Sequence, residues 1–215
     1  MRKDNNIMIY RKLLGIVLAA VAAAMLSSCL DITQTISLID GRYNVSVKCG
    51  FDRNQLYLAD ADEDSLNEEL DRFETGIRND SYNIAFSRID TGNEVGFFLK
   101  FDCSADDDVT TDLGYFLPYR DRRGLKFPLL IGEEISRTEV DDPLDLAVTV
   151  MSVSKYKFII NKNVIERINS ASIIDKDGRH SAAVSFYDCG TSYLVEVPVN
   201  IMYGTKWTYS DLLLK

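Results

Sequence analysis

The sequence predicts an α+β fold: a predominantly antiparallel β-sheet with at least one amphipathic helix packed on one face. Three observations predict it. Two stretches of alternating apolar residues are each interrupted by a turn sequence, one stretch has helical spacing, and the C-terminal part is rich in strand-like segments. Hydrophobic residues make up 46% of the 215 residues and charged residues 27%, as in an ordinary globular protein. A chain of this length can bury enough surface to fold without a metal ion or a disulfide.

Residues 32–51 are predicted to form a β-hairpin. Asp40-Gly41 is a strong signal for a two-residue turn, and that turn places Leu38 opposite Tyr43 and Ile36 opposite Val45. One side then carries the apolar residues of both strands, which are Ile32, Ile36, Leu38, Tyr43, Val45, Val47, Cys49 and Phe51. Asn44, Ser46 and Lys48 face the other way, so we expect one side in the core and one in water.

Residues 65–78 are predicted to form a helix that lies on this sheet. Ser65 and Glu68 have the spacing of a capping box, and apolar residues recur at helical spacing at Leu66, Leu70, Phe73 and Ile77. A second hairpin follows, with alternating residues from Tyr82 to Phe86, a turn over 90–93, and alternating residues from Val95 to Cys103.

The rest of the chain is less regular up to residue 140 and rich in strands after it. An acidic run, Asp106–Asp108, and prolines 118 and 128 interrupt the first part. The predicted strands of the second part are Leu144–Met151, Lys155–Asn161, Ala182–Asp188 and Tyr193–Met202. Asp177-Gly178 and Cys189-Gly190 indicate turns, and Pro198 indicates an edge strand or a bulge.

The N-terminus has the three parts of a secretory signal. Arg11 and Lys12 precede the apolar run Leu13–Met25, which ends in Leu26-Ser27-Ser28-Cys29. As a helix the run would rise about 20 Å, which is too short to span a hydrocarbon core of about 30 Å comfortably. We therefore expect residues 1–28 to be a signal peptide and residues 29–215 a single secreted domain.

Leu26-Ser27-Ser28-Cys29 resembles the bacterial lipobox, an aliphatic residue and two small residues before a cysteine. The resemblance implies a lipoprotein that is cleaved between Ser28 and Cys29, with a diacylglyceryl group on the Cys29 thiol and a fatty acid such as palmitate on the new amine. Leu30 follows in place of the aspartate that favours inner-membrane retention, so we expect the outer membrane of the cell envelope. The alternatives are a plain signal peptide with a chance cysteine, or a buried core cysteine.

The composition of the mature part excludes binding to nucleic acid. Without residues 1–28 it has 20 Lys and Arg against 32 Asp and Glu, a net charge of −12. Both nucleic acid and anionic headgroups are bound by Lys and Arg, so such a surface is repelled by them. We expect contact with the membrane to be made through the covalent lipid.

Cys49, Cys103 and Cys189 remain after Cys29 is lipidated. Their spacing fits no compact zinc site. One disulfide among them is the most that can form, and its pairing stays open. The favoured alternative is three small apolar residues on the inner faces of strands.

Three candidate sites compete with structural explanations. Asp60, Asp62, Asp64 and Asp71 have the spacing of a calcium-binding EF-hand loop. Three departures count against it, since Ser65 replaces the required glycine, Asn67 replaces the usual aliphatic residue and no helix is predicted before the loop. Acids at a helix start are also favoured by its dipole. A basic and aromatic cluster, whose contact residues would be Tyr119, Arg120, Arg122, Arg123 and Lys126, fits a headgroup or a protein partner. The favoured explanation is a long loop whose aromatic residues cover the core and whose arginines pair with Asp121, Glu133 and Glu134. His180, the only histidine, cannot form a two-histidine metal site, and no cofactor is expected.

The mature part also resembles the LppM-type lipoprotein domain. The stretches that carry the resemblance are Thr33–Ile36, Asp40–Val45, Tyr156–Ile160 and Tyr193–Pro198, and Asn161-Lys162-Asn163 departs from that family's proline-glycine step. It implies a fold and no catalytic residues. The leading hypothesis is a membrane-anchored lipoprotein with a binding or structural role. A carrier of lipid or a small apolar ligand, with its pocket between helix 65–78 and the sheet, is the alternative, and a carboxylate-dependent hydrolase is the second alternative.

Overall fold

A computed structural model of the chain describes residues 30–58, 63–78, 82–106, 112–129, 154–199, 201 and 209–215. Within these ranges the chain is mostly β-structure, in one sheet of seven strands and one of five. The strand pairs are antiparallel except for one parallel pair, so the predominance of antiparallel sheet is confirmed.

The seven-stranded sheet has the order β10-β11-β7-β1-β2-β4-β3. Its strands are β1 (Leu30–Ile39), β2 (Arg42–Asp52), β3 (Asn83–Asp90), β4 (Glu94–Ser104), β7 (Lys155–Asn161), β10 (Ser185–Asp188) and β11 (Ser192–Pro198). β1 and β7 are the parallel pair, with Ile32 beside Tyr156 and Ile36 beside Ile160.

The first hairpin forms as predicted. Leu38 pairs with Tyr43 and Ile36 with Val45, and Asp40 and Gly41 have φ angles of 49° and 72°. Positive φ at both central residues is the conformation that a two-residue hairpin turn requires. The second hairpin, β3 with β4, is also confirmed.

Two helices lie between β2 and β3. Helix α1 (Arg53–Leu58) was not predicted, and helix α2 (Glu63–Arg78) confirms the predicted helix. Because α2 begins at Glu63, Ser65 lies inside its first turn and is not the capping residue. Leu70 and Ile77 are buried, as the helical spacing predicts.

The five-stranded sheet has the order β5-β6-β12-β8-β9. Its strands are β5 (Tyr119–Asp121), β6 (Gly124–Pro128), β8 (Ala171–Asp175), β9 (Ser181–Ala183) and β12 (Tyr209–Leu214), and a short 3₁₀ helix, Asp112–Phe116, precedes β5. No strand was predicted over the residues of β5, β6, β8 or β12.

Two predictions for the C-terminal half are wrong, and a third lies outside the described residues. The single strand expected over residues 182–188 is wrong, because Val184 separates β9 in one sheet from β10 in the other. The prediction that Pro198 marks an edge strand is wrong, because it ends β11, which lies between β10 and β7. Pairing of β11 with β10 stops at Glu196, which pairs with Ser185, so the missing N–H of Pro198 removes no hydrogen bond to β10. The strand predicted at Leu144–Met151 lies outside the described residues.

The two sheets share one hydrophobic core. The rings of Phe127 in β6 and Phe158 in β7 are 5.6 Å apart. Gln34 lies within this core with only 1% of its surface exposed. Its position in β1 points it to the same side as Ile32 and Ile36, so a polar side chain is buried on the inner face of the sheet.

Candidate functional site

The residue expected to carry lipid is directly followed by the sheet. β1 begins at Leu30, where it pairs with Phe51, the next-to-last residue of β2. Val95 at the start of β4 and Lys155 at the start of β7 lie at the same end of the sheet. We call this end, with the β3–β4 turn over residues 91–93, the proximal end. Cys29 and Ser28 lie outside the described residues.

Helix α1 is fixed to the proximal end by Arg53. The backbone N–H of Arg53 donates to the Asn93 carbonyl at 2.9 Å. Its guanidinium donates to the Glu63 carboxylate at 2.8 Å, to the Asp90 carboxylate at 2.9 Å and to the Thr91 carbonyl. One side chain therefore joins the starts of both helices to the turn between β3 and β4.

The outer face of the sheet at this end carries an ion-pair network. Lys48 Nζ lies 2.7 Å from Glu94 Oε1 and 3.7 Å from Asp31 Oδ2, and Lys157 Nζ lies 3.3 Å from Asp31 Oδ1. The hydrogen bond to Glu94 raises the pKa of Lys48. The two carboxylates share one ammonium on a sheet surface, which differs from the paired carboxylates of a hydrolase cleft.

The basic and aromatic cluster forms the β-hairpin of β5 and β6, and the side chains of Tyr119 and Lys126 are bonded within the domain. Tyr119 Oη donates to Asp211 Oδ1 at 2.7 Å, and burial is the main cause that raises the pKa of Tyr119. Lys126 is 6% exposed, its Nζ lies 2.7 Å from Asp121 Oδ2, and it lies 5.4 Å from the centre of the Tyr119 ring. Its hydrogen bond is the main cause that lowers the pKa of Asp121. These contacts hold the hairpin together and join it to β12.

Arg123 is also occupied within the molecule. Its guanidinium donates to the Asp177 carbonyl at 2.8 Å, and its backbone N–H donates to Asp121 Oδ1 at 2.8 Å. Gly178 has a φ of +65°, and a Cβ there would collide with the Arg123 guanidinium. Arg120 and Arg122 are exposed, and Glu133 and Glu134, the acids expected to pair with this cluster, lie outside the described residues.

The four acids with EF-hand spacing are not brought together in one described loop. Asp64 lies in the first turn of α2 and Asp71 further along the same helix, where it pairs with Arg88. Asp60 and Asp62 lie outside the described residues. Among the described residues, no group of three His, Cys, Asp or Glu side chains could hold a metal ion.

His180 pairs with a carboxylate in the turn between β8 and β9. Its Nδ1 lies 2.7 Å from Asp175 Oδ2, and the backbone N–H of Arg179 donates to Asp175 Oδ1 at 2.7 Å. The bond from His180 is the main cause that lowers the pKa of Asp175. Because one carboxylate receives bonds from the residues that close the turn, the pair stabilises the turn.

The three cysteines are all free thiols. Cys49 and Cys103 are buried on the inner face of the sheet, as the favoured explanation predicts, and burial raises the pKa of the Cys49 thiol to about 12. The same explanation is wrong for Cys189, which is exposed in the turn between β10 and β11. That turn needs a left-handed residue at Gly190, with a φ of 86°, and leaves the preceding side chain in solvent.

A shallow depression on the seven-stranded sheet does not resemble an apolar ligand pocket. It lies over β2, β3 and β4, and its lining includes Asn44, Asn83, Lys100 and Asp102. The carrier hypothesis needs an apolar cavity between helix and sheet, whereas this depression is lined mostly by polar residues and opens on the other side of the sheet.

Comparisons with known proteins supply no further assignment. No helix within the described ranges is long and apolar enough to cross a bilayer, and the apolar run of the N-terminus lies outside those ranges. No protein-family model, no curated protein and no solved structure matches this chain.

Proposed function

We propose that the protein is a lipid-anchored lipoprotein of the cell envelope with a binding or structural role and no catalytic one. In this proposal the mature chain begins at Cys29, which carries the lipid, and the outer membrane holds it. The lipobox-like sequence Leu26-Ser27-Ser28-Cys29 and the signal-like residues before it support the anchor. Two or more acyl chains on one residue are sufficient for stable attachment.

The start of β1 is the structural observation that carries the proposal. The sheet begins at Leu30, immediately after the residue expected to be lipidated. Every described strand and helix lies on the C-terminal side of Cys29, which is compatible with a signal peptide that is cleaved before that residue.

We also propose that α2 covers one face of the sheet, which would make the domain α+β. The contacts of Phe73 support this, because its ring lies 5.0 Å from the ring of Phe97, 6.2 Å from that of Phe86 and 6.5 Å from that of Phe116. Arg88 in β3 adds polar contacts to Asp71 and Glu74 of the helix. The aromatic rings occupy the space where the carrier hypothesis places its pocket, so they favour a structural role for the helix.

Binding of a protein partner would use the exposed part of the β5–β6 hairpin. Arg120 and Arg122 are exposed there, whereas Tyr119, Arg123 and Lys126 each have contacts within the domain. Exposed guanidinium groups can form paired hydrogen bonds with carboxylates of a partner. The LppM-type resemblance is compatible with such a role and adds no residues to it.

Replacing Cys29 tests the anchor in the native host. We expect the wild-type protein in the membrane fraction at the size of the processed chain, and Cys29→Ser at the size of the precursor because the lipid-dependent cleavage is lost. Cys189→Ser, which removes an exposed thiol far from the N-terminus, is the control and should behave as wild type. A Cys29→Ser protein that is membrane-bound and processed to the wild-type size would refute the proposal.

A further inference from the structure

A lipid on Cys29 would leave the sheet almost no freedom to move away from the membrane. Consecutive Cα atoms are 3.8 Å apart, and Leu30 is already paired with Phe51 in the sheet. A spacer of several residues would let a domain tumble away from the membrane, but the described sheet begins without one. If Cys29 is lipidated, as proposed above, the proximal end is therefore held close to the headgroups.

A large exposed side chain lies at this same end. Tyr57 on helix α1 is 85% exposed. It follows Phe51, the partner of Leu30, by two extended residues and one turn of helix, which places it within about 20 Å of Leu30. The bonds of Arg53 to Asn93, Thr91 and Asp90 fix the start of α1 to the proximal end.

The charges at the proximal end do not favour binding to an anionic surface, whereas its exposed tyrosine suits a membrane–water interface. The described bases Lys48, Arg53 and Lys155 of this end are each paired with a carboxylate, of Glu94, of Glu63 and Asp90, and of Glu196. This end therefore presents no excess of positive charge that anionic headgroups would attract. Tyrosine is enriched at membrane interfaces because its ring is apolar and its hydroxyl is polar. An exposed tyrosine beside a lipid anchor thus has a suitable environment within reach whatever the headgroup charge.

We infer that the proximal end rests on the bilayer that holds the anchor, with Tyr57 at headgroup level. The strands of the seven-stranded sheet then extend away from the membrane surface. Ile39, the last residue of β1, and Cys189, in the turn between β10 and β11, lie at the other end, about 30 Å from it, because the ten residues of β1 each advance about 3.3 Å. We call that other end the distal end. This inference rests on the proposed function.

Spin labels at the two ends test this orientation. The lipidated protein is purified from its host and reconstituted in phosphatidylcholine vesicles. Nitroxides are attached at Tyr57→Cys and, as a matched control, at Ile39→Cys, both in a Cys189→Ser background, and at the native Cys189. Cys49 and Cys103 are buried, so we expect neither to react in the folded protein. Collision rates with oxygen, which concentrates in lipid, and with a water-soluble nickel chelate are then measured at each position.

We expect the ratio of oxygen to nickel collision rates to be several-fold higher at position 57 than at positions 39 and 189. Equal ratios at all three positions, in protein whose intact mass shows the lipid, would overturn the orientation and leave the anchor standing. Protein whose intact mass lacks lipid would overturn the proposed function and the orientation together. The two failures are therefore distinguishable in one sample.

Discussion

Tyr156 Oη donates a hydrogen bond of 2.6 Å to Gln34 Oε1, and Gln34 Nε2 donates in turn to the Phe116 carbonyl at 2.7 Å. Both side chains are buried, and they join the neighbouring parallel strands β1 and β7 to the 3₁₀ helix before β5. Burial raises the pKa of Tyr156, so its hydroxyl stays a donor at any ordinary pH. A polar group inside an apolar core is tolerated when it is fully bonded.

Removing the Tyr156 hydroxyl should therefore destabilise the fold. Tyr156→Phe leaves Gln34 Oε1 buried without that donor, which costs about 1–3 kcal/mol. The measurement is the free energy of unfolding in urea. Tyr57→Phe removes a hydroxyl from an exposed ring and should leave stability within about 0.5 kcal/mol of wild type. Equal stability of Tyr156→Phe and wild type would contradict the role assigned to this bond.

Truncating Phe73 tests whether α2 packs on the sheet. Phe73→Ala removes the ring that contacts Phe86, Phe97 and Phe116, and because Phe73 is partly exposed we expect a loss of about 2–4 kcal/mol, toward the low end for a large-to-small core change. Arg72→Ala, on the exposed side of the same helix, should cost less than about 1 kcal/mol. Similar losses for the two variants, measured in urea, would mean that the helix does not cover the core.

Within the β5–β6 hairpin, we expect Lys126 to contribute to stability and Arg120 and Arg122 not to. Lys126→Ala removes the ion pair with Asp121 and the contact with the Tyr119 ring. We expect a loss of about 1–2 kcal/mol, because Asp121 is partly exposed and solvent weakens the pair. Arg120→Glu combined with Arg122→Glu should leave the melting temperature unchanged. A double variant that melts well below wild type would show that these arginines also support the fold.

The pair of His180 and Asp175 predicts a specific pH dependence. Because the folded-state pKa of Asp175 is lowered, its contribution to stability is present above the unfolded value of about 3.9 and is lost as pH falls through the lowered pKa. Asp175→Asn should therefore be less stable than wild type at pH 7, and this difference should shrink as the pH is lowered from about 4 toward 2. Urea midpoints across this range are the measurement, and a pH-independent difference would contradict the charge-based explanation.

Thiol reactivity should distinguish Cys49, Cys103 and Cys189, the three cysteines of the mature part besides Cys29. Cys189 is exposed, whereas Cys49 and Cys103 are buried, and the reactive species is the thiolate, which the raised pKa of Cys49 suppresses. With a thiol reagent at pH 8, we expect one rapid reaction in the folded protein and two more after unfolding. Loss of the rapid reaction in Cys189→Ser would assign it, and rapid reaction of all three in the native protein would contradict the burial.

The hairpins were predictable because their signals are local. Asp40-Gly41 defines both the turn and the register of β1 with β2, and the helical spacing of Leu70 and Ile77 defines the buried side of α2. The parallel pairing of β1 with β7 joins residues more than 120 positions apart, and no turn connects them. Local sequence patterns therefore do not predict the pairing of β1 with β7.

Two missed strands lack the alternation on which strand prediction depends. In β12, Leu212, Leu213 and Leu214 are all buried, and in β8 Ile173 and Ile174 are both buried. Strands covered on both faces present continuous apolar runs, which local patterns do not distinguish from other buried segments.

The structural explanation of the basic cluster was predicted, with Asp121 among the expected partners, but the contact that joins the cluster to β12 was not. The bond partner of Tyr119 is Asp211, far away in the chain. Gln34, in contrast, gave a usable signal, since a glutamine between the inward positions of Ile32 and Ile36 must find a buried partner.

The intact mass of the mature protein from its native host tests the central claim most directly. The account predicts a chain that begins at Cys29 and carries the added mass of a diacylglyceryl group and an amide-linked fatty acid. A chain that begins at another residue, or one that begins at Cys29 without added lipid, would contradict it.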